Sequence, residues 1–200
     1  MIRVLCADIS DGAAVYDRLY AQATPERQRR ADRCLRQGDR LRCVTADALL
    51  RTVLGSDAGR IETTESGKPY LPNRENFHFS LSHSGRYVVM AWGETEVGVD
   101  VQRQDAANPE AIAARWFAPD EQSYVRGDLL RFYQVWTGKE SYLKFTGTGL
   151  RGNLRAFSIL TPEPGLRYHH RLLEGGYSLS LCTREAHFSF ELIDVRQLIT

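Results

Sequence analysis

Trp136, Glu140 and Lys144 recur every fourth position, so on a helix they drift slowly round a single face. A glutamate four residues ahead of a lysine is also the favourable ion pair of any solvated helix, worth about 0.2–0.5 kcal/mol. A tryptophan on such a stripe belongs to a core as readily as to a site. The pair becomes chemically interesting only if a second acid is brought beside it, because clustered oxygens then suit a hard cation. Asp100 is the candidate for that second acid. In Val97-Gly98-Val99-Asp100-Val101-Gln102 the alternation of a strand puts Gly98, Asp100 and Gln102 on one face and the three valines on the other. The valines face a core, and the opposite face is either solvated or a site.

Two further groups carry donors. Ser82-His83-Ser84 lies between two apolar segments, and hydroxyls plus an imidazole at a turn suit a phosphate. A nucleophilic Ser–His pair is a poor reading of it, since neighbours on a turn rarely reach catalytic geometry and no G-x-S-x-G elbow is present. From Arg27 to Arg42 seven arginines stand against Asp32 and Asp39, a surplus of five positive charges in a chain of net charge +1. That wall fits a polyanion, but no aromatic RNA-binding motif or helix-turn-helix spacing points to nucleic acid, and the absence of G-x-x-x-x-G-K-[ST] removes P-loop hydrolysis. The chain has 23 arginines and only Lys68, Lys139 and Lys144 as lysines, so each lysine asks for a reason that a planar guanidinium cannot meet.

The elements that must hold these residues can be read in turn. A strand is expected at 2–8. Thr24-Pro25-Glu26 starts the arginine-bearing helix, with Thr as N-cap and Pro at the first helical position. A second helix runs from about Asp39 to Leu54 and stops at Gly55, and Ser66-Gly67-Lys68-Pro69 is a turn. Strands at 77–81, 87–92 and 97–102, joined by short connections, predict an antiparallel meander. In it the first and third strands run in parallel, so Asp100 and Gln102 come near Ser82-His83-Ser84. Asn108-Pro109 begins another helix. A helical stretch from about Pro119 to Phe145 breaks near Gly127-Asp128, and strands are expected at 155–160, 177–182 and 187–193. Helices followed by a sheet in each half give an α+β fold, a possible pseudo-duplicate without visible identity between halves.

Two hundred residues with 42% hydrophobic and 26% charged content read as one globular domain or two packed halves. The longest apolar run, Tyr87 to Trp92, is far short of the ~20 residues that span a bilayer, so no membrane helix is expected. The acid at Asp8 interrupts any signal-like core, and the expected location is the cytoplasm. Four scattered cysteines without a C-x-x-C pair predict neither zinc nor disulfides.

Taken together, Phe79-Ser80-Leu81-Ser82-His83-Ser84, Val97-Gly98-Val99-Asp100-Val101, Trp116-Phe117-Ala118-Pro119-Asp120-Glu121 and Trp136-Thr137-Gly138-Lys139-Glu140-Ser141-Tyr142-Leu143-Lys144 resemble, in order and spacing, the 4′-phosphopantetheinyl transferases. The nearest type is the surfactin-synthetase-activating class of pseudo-dimeric monomers. Gly67-Lys68-Pro69 and the arginine helix fit its upstream pattern, and the resemblance spans about residues 25 to 150. It implies two similar halves, 1–96 and 97–200, in one compact monomeric unit. It also implies transfer of 4′-phosphopantetheine from coenzyme A to a serine of an apo acyl or peptidyl carrier protein, releasing adenosine 3′,5′-bisphosphate.

By the same resemblance Asp100 and Glu140 hold Mg²⁺, Glu140 acts as base for the carrier serine, and Lys144 neutralises the leaving phosphate. Lys68 anchors the adenosine end, Ser82 and His83 contact the 3′-phosphate, and Arg27, Arg30 and Arg42 supply basic contacts to coenzyme A. One departure stands out: the family often has an acid two residues after the strand aspartate, and here it is Gln102. An amide oxygen ligates without charge, so Gln102 is a third, weaker metal ligand, with water or Glu121 as a substitute if Glu121 is not structural. The competing readings are a coenzyme A-binding relic without transfer, and a Mg²⁺-dependent nuclease built on Asp100, Glu140 and Lys144.

Overall fold

The computed structural model describes residues 1–149 and 153–199. Residue 150, the end of the motif-bearing span, and residues 151, 152 and 200 of the expected C-terminal half lie outside the described residues. The chain opens with β1 (Ile2–Asp8), a 3-10 turn and α1 (Tyr16–Gln22). Next come α2 (Pro25–Asp32) and α3 (Gln37–Leu54). As its cap residues predict, α2 begins where the Thr24 hydroxyl accepts from the Arg27 amide at 3.3 Å. Two short strands, β2 (Glu62–Thr63) and β3 (Pro69–Tyr70), flank the Ser66-Gly67 turn. Then follow β4 (His78–Ser84), β5 (Tyr87–Gly93) and β6 (Val97–Arg103). After α4 (Pro109–Trp116) and α5 (Pro119–Val125), α6 (Leu129–Thr146) starts at Asp128, whose carboxylate accepts from Leu130 and Arg131 amides at 2.9 and 3.1 Å. The chain ends with β7 (Arg167–Leu173), β8 (Tyr177–Thr183) and β9 (Phe188–Asp194).

The fold is α+β, as the sequence predicts, with two main sheets. One has the order β4-β5-β1-β9, the other β6-β8-β7, and each carries an 18-residue helix, α3 on the first and α6 on the second. Between the sheets lies an apolar layer in which Val97, Val99 and Val101 of β6 meet Val4, Cys6, Tyr87 and Val89. The valine face is therefore core, as expected. The other face of β6 is covered by α6 and not by water.

Four expectations need correction. The strands at 78–103 do not form a meander: β4 and β5 pair as a hairpin, but β6 pairs with β8, with Asp100 opposite Ser180. The reason is the valine face, which is buried by packing across onto the first sheet, and a strand inside that sheet cannot do this. Ser82-His83-Ser84 is strand and not turn, because the hairpin closes on the two residues Gly85 and Arg86. Gly85 has φ +50°, and a Cβ there would lie 1.9 Å from the Tyr177 hydroxyl, so this tight turn requires glycine. The segment 155–160 is no strand, and β7 begins later, at Arg167. Finally, β9 leaves its sequence half and pairs in parallel with β1, Val4 opposite Phe190.

Candidate active site

The site begins with a glycine. A Cβ on Gly98 would stand 1.9 Å from the Ser141 carbonyl oxygen and 2.4 Å from the Phe145 amide nitrogen, so only glycine lets α6 lie directly on β6. Two residues along the same strand face, Asp100 meets Lys144 from that helix, with Nζ at 2.7 Å from Oδ1. The Ser82 hydroxyl donates to the same Oδ1 at 2.8 Å. Asp100 is buried, and its Oδ2 has no hydrogen bond or ion pair among the described residues.

Glu140, one helical turn before Lys144, is half-buried and makes no hydrogen bond or ion pair among the described residues. Burial, reinforced by the negative charge of Asp100, holds its carboxyl above the ordinary glutamate range, and Lys144 only partly opposes this. Gln102 shares the strand face of Asp100 and likewise leaves its amide unbonded among the described residues. Trp136 parts from this group and stacks on Phe132 in the apolar cluster beneath α6.

Lys139 points away from the site. It is wholly buried, ion-paired with wholly buried Glu121 at 2.7 Å, and donates to the Leu154 and Phe157 carbonyls at 2.6 Å each. Glu121 in turn accepts from the Ala118 and Ile159 amides, both at 2.8 Å. That network holds the backbone of 154–159 in place of a neighbouring strand, which is why the expected strand there is absent. Glu121 is thus a structural partner of Lys139 and is not available to a metal.

Around the site the cations divide. His83 has its pKa held below the ordinary imidazole value by desolvation of the ring, with the charges of Arg42, Lys144 and Arg30 adding to the effect. Those four groups therefore share one region. Arg42 is anchored there by the Gly85 carbonyl at 2.8 Å and by Asp39. Arg27 is drawn to Asp47, at 3.7 Å. Lys68 bonds Glu96 and donates to the Phe145 carbonyl at 2.6 Å, so it caps the last turn of α6. Beside all this opens a cleft of about 310 Å³, lined among others by Lys68, Phe79, Leu81, Glu140, Leu143 and Lys144.

The resemblance of these residues extends to most of the chain. It is 33% identical to 4′-phosphopantetheinyl transferase Sfp of Bacillus subtilis (strain 168), over 74% of this chain and 71% of that protein. To 4′-phosphopantetheinyl transferase ffp of Bacillus subtilis it is 30% identical over 86% and 87% of the two chains. To a phosphopantetheinyl transferase of Thraustochytrium sp. it is 32% identical over 74% and 61%. A family model for the 4′-phosphopantetheinyl transferase superfamily matches residues 96–194. The chain belongs to that superfamily. The transferase keeps Asp100, Gln102, Glu140 and Lys144 inside the matched region, while Lys68, Ser82, His83 and the arginines lie upstream of it. No helix of the transferase, among the described residues, is long and apolar enough to cross a membrane.

The donor set of the transferase suits one hard divalent cation. No group of three His, Cys, Asp or Glu side chains fit for a metal occurs among the described residues. Two close carboxylates with a neighbouring amide are nonetheless what Mg²⁺ uses when waters and substrate phosphates complete its shell. Lys144 pairs with Asp100, and Glu140, pushed up first by its burial and then by the charge of Asp100, keeps no cationic partner of its own among the described residues.

Sequence reasoning missed the close contact at Gly98, the pairing of Lys139 with Glu121 behind the site, and the bonds that the β4 serines make, although it had singled out Ser82 as an anion contact. The serines had a visible signal, the period-two run Ser80, Ser82, Ser84. The partners of that run were hidden, because they belong to another sheet.

Proposed function

We propose that the transferase moves 4′-phosphopantetheine from coenzyme A to a serine hydroxyl of an apo acyl or peptidyl carrier protein. The new bond joins the serine oxygen to the pantetheine-side phosphorus. The bond to the bridging pyrophosphate oxygen breaks, and adenosine 3′,5′-bisphosphate leaves. Asp100 and Glu140, with the Gln102 amide, would hold Mg²⁺, which supplies charge neutralisation on the pyrophosphate.

The carrying observation is the convergence of Asp100 from β6 with Glu140 and Lys144 from α6, beside an open cleft. Glu140 is suited to take the serine proton, because burial and the charge of Asp100 make it more basic than an ordinary glutamate. Lys144 is a mobile point charge for the departing phosphate, held ready on Asp100. Arg30, Arg42 and His83 form the anion-facing wall for the 3′-phosphate, with Arg27 at its margin. Neutral His83 gains a proton as an anion arrives and turns from a polar group into a cation. Lys68 closes the cleft from the side of the β2–β3 turn, where the adenosine end would lie. The long helix on each sheet supports reading 1–96 and 97–200 as two copies of one plan, with β9 of the second added to the sheet of the first.

The test is direct. The protein is incubated with coenzyme A, Mg²⁺ and an apo carrier protein, and the carrier is weighed. The expected gain is one phosphopantetheine, lost in Asp100→Ala and Glu140→Ala proteins that remain folded. Binding of coenzyme A without carrier modification would overturn the reading in favour of a non-catalytic relic, and nicked DNA would do so in favour of a nuclease.

A further inference from the structure

The serines of β4 replace a β-ladder. Their hydroxyls accept from the β6 amides one for one: Ser80 from Val99 at 3.1 Å, Ser82 from Val101 at 3.2 Å, Ser84 from Arg103 at 3.0 Å. Side chains thus satisfy an edge of β6 that no backbone carbonyl of β4 reaches, and they fix the height of one strand against the other. All three bonds serve that purpose. Among the described residues only Ser82 of the three donates to a carboxylate.

A hydroxyl has one proton. Because Ser82 Oγ accepts from the Val101 amide, that proton is free to go forward, and it goes to Asp100 Oδ1 at 2.8 Å. Lys144 donates to the same oxygen at 2.7 Å. Both donors therefore converge on Oδ1 and leave Oδ2 without a protein partner among the described residues. A phosphate accepts and does not donate, so in this arrangement Ser82 has no proton left for one. Its neighbour His83, on the opposite face of the strand, stands among Arg42 and Arg30.

We infer that Ser82 is a positioning residue for Asp100: its hydroxyl, clamped by the Val101 amide, turns the carboxylate so that Oδ1 is spent on Lys144 and Oδ2 is presented to the metal. This rests on Asp100 as a metal ligand. Partners that orient a ligating carboxylate change metal affinity by about 10–100-fold when removed. Ser80 supplies the control, because Ser80→Ala removes the same kind of amide bond with no carboxylate involved.

Mn²⁺ binding is followed by electron paramagnetic resonance in the presence of coenzyme A, for wild type, Ser82→Ala, Ser82→Thr and Ser80→Ala. Ser82→Ala weakens Mn²⁺ binding by about tenfold or more, while Ser82→Thr and Ser80→Ala stay near wild type. The preference for coenzyme A over dephospho-coenzyme A is unchanged in Ser82→Ala and narrows in His83→Ala. Mn²⁺ affinity unaltered by Ser82→Ala, or weakened equally by Ser80→Ala, overturns the inference. So does a collapse of the coenzyme A preference in Ser82→Ala, which would place the hydroxyl on the 3′-phosphate. If Ser82→Ala does not fold, Ser82→Cys decides: a thiol is a weak donor and must weaken Mn²⁺ binding, and unchanged binding refutes the role. Wild type that binds no Mn²⁺ at all refutes the metal reading of Asp100 itself, a distinct failure.

Discussion

Gly98→Ala tests whether the approach of α6 to β6 creates the site. The added methyl would lie 1.9 Å from the Ser141 carbonyl oxygen and 2.4 Å from the Phe145 amide nitrogen. Both obstacles are helix backbone, so no rotamer change relieves them. Restoring ordinary contact at about 3.4 Å requires the helix and strand to separate by roughly 1.5 Å. Asp100 sits on β6 and Glu140 and Lys144 on α6, so the separation opens the 2.7 Å Lys144–Asp100 contact directly. Misplacement by about 1 Å costs on the order of 100-fold in rate, or about 2.7 kcal/mol of transition-state stabilisation. Overpacking itself costs about 1–3 kcal/mol of stability, which a domain with 5–15 kcal/mol survives. The expected Gly98→Ala protein is therefore folded by circular dichroism and urea titration, and its kcat for carrier modification is about 100-fold down. Gly138→Ala is the comparison. Its Cβ would meet the tip of the Ile159 side chain at 2.6 Å, which can turn aside, so the loss there should stay under about tenfold. A Gly98→Ala enzyme with near wild-type kcat would refute the reasoning.

Three further outcomes follow from the geometry. Lys139→Met leaves the Glu121 carboxylate buried and unpaired, so urea unfolding should show a loss of about 3–5 kcal/mol, part of it recovered by adding Glu121→Gln; a loss below about 1 kcal/mol would refute the clamp. Gln102→Glu adds a charge where an unbonded amide now stands, and the Mg²⁺ concentration for half-maximal activity should fall; an unchanged midpoint would remove Gln102 from the metal. Because the folded state holds the Glu140 proton more tightly than the unfolded chain, metal-free protein has that stability in full at acid pH. It is lost as pH rises through the raised value, and Glu140→Gln should flatten this slope in urea midpoints measured across pH.

Local patterns were enough to place many elements. Thr24-Pro25, Asn108-Pro109 and Gly147 mark helix ends because caps act within a few residues. The alternation at 97–102 told which face of β6 carries Asp100, since a side chain's face depends only on strand period. The same alternation, with the Glu140–Lys144 spacing and the scarcity of lysine at Lys68 and Lys144, made the candidate site legible. Pairing partners are another matter. The sequence alone favoured joining β6 to β5 through a short connection, whereas burial of the valines against Val4 and Val89 took it to a second sheet. The strand expected at 155–160 was displaced by the Lys139–Glu121 pair, whose members are 18 positions apart and become partners only when α5 and α6 pack. Gly98 reads as an ordinary strand glycine until a helix backbone lies 1.9 Å from its missing methyl. Sequence determined which groups this chain possesses and which face each occupies. Which of them meet was decided by close packing between elements remote in the chain, because contact at 2.7 or 2.8 Å depends on how whole helices and sheets settle against one another.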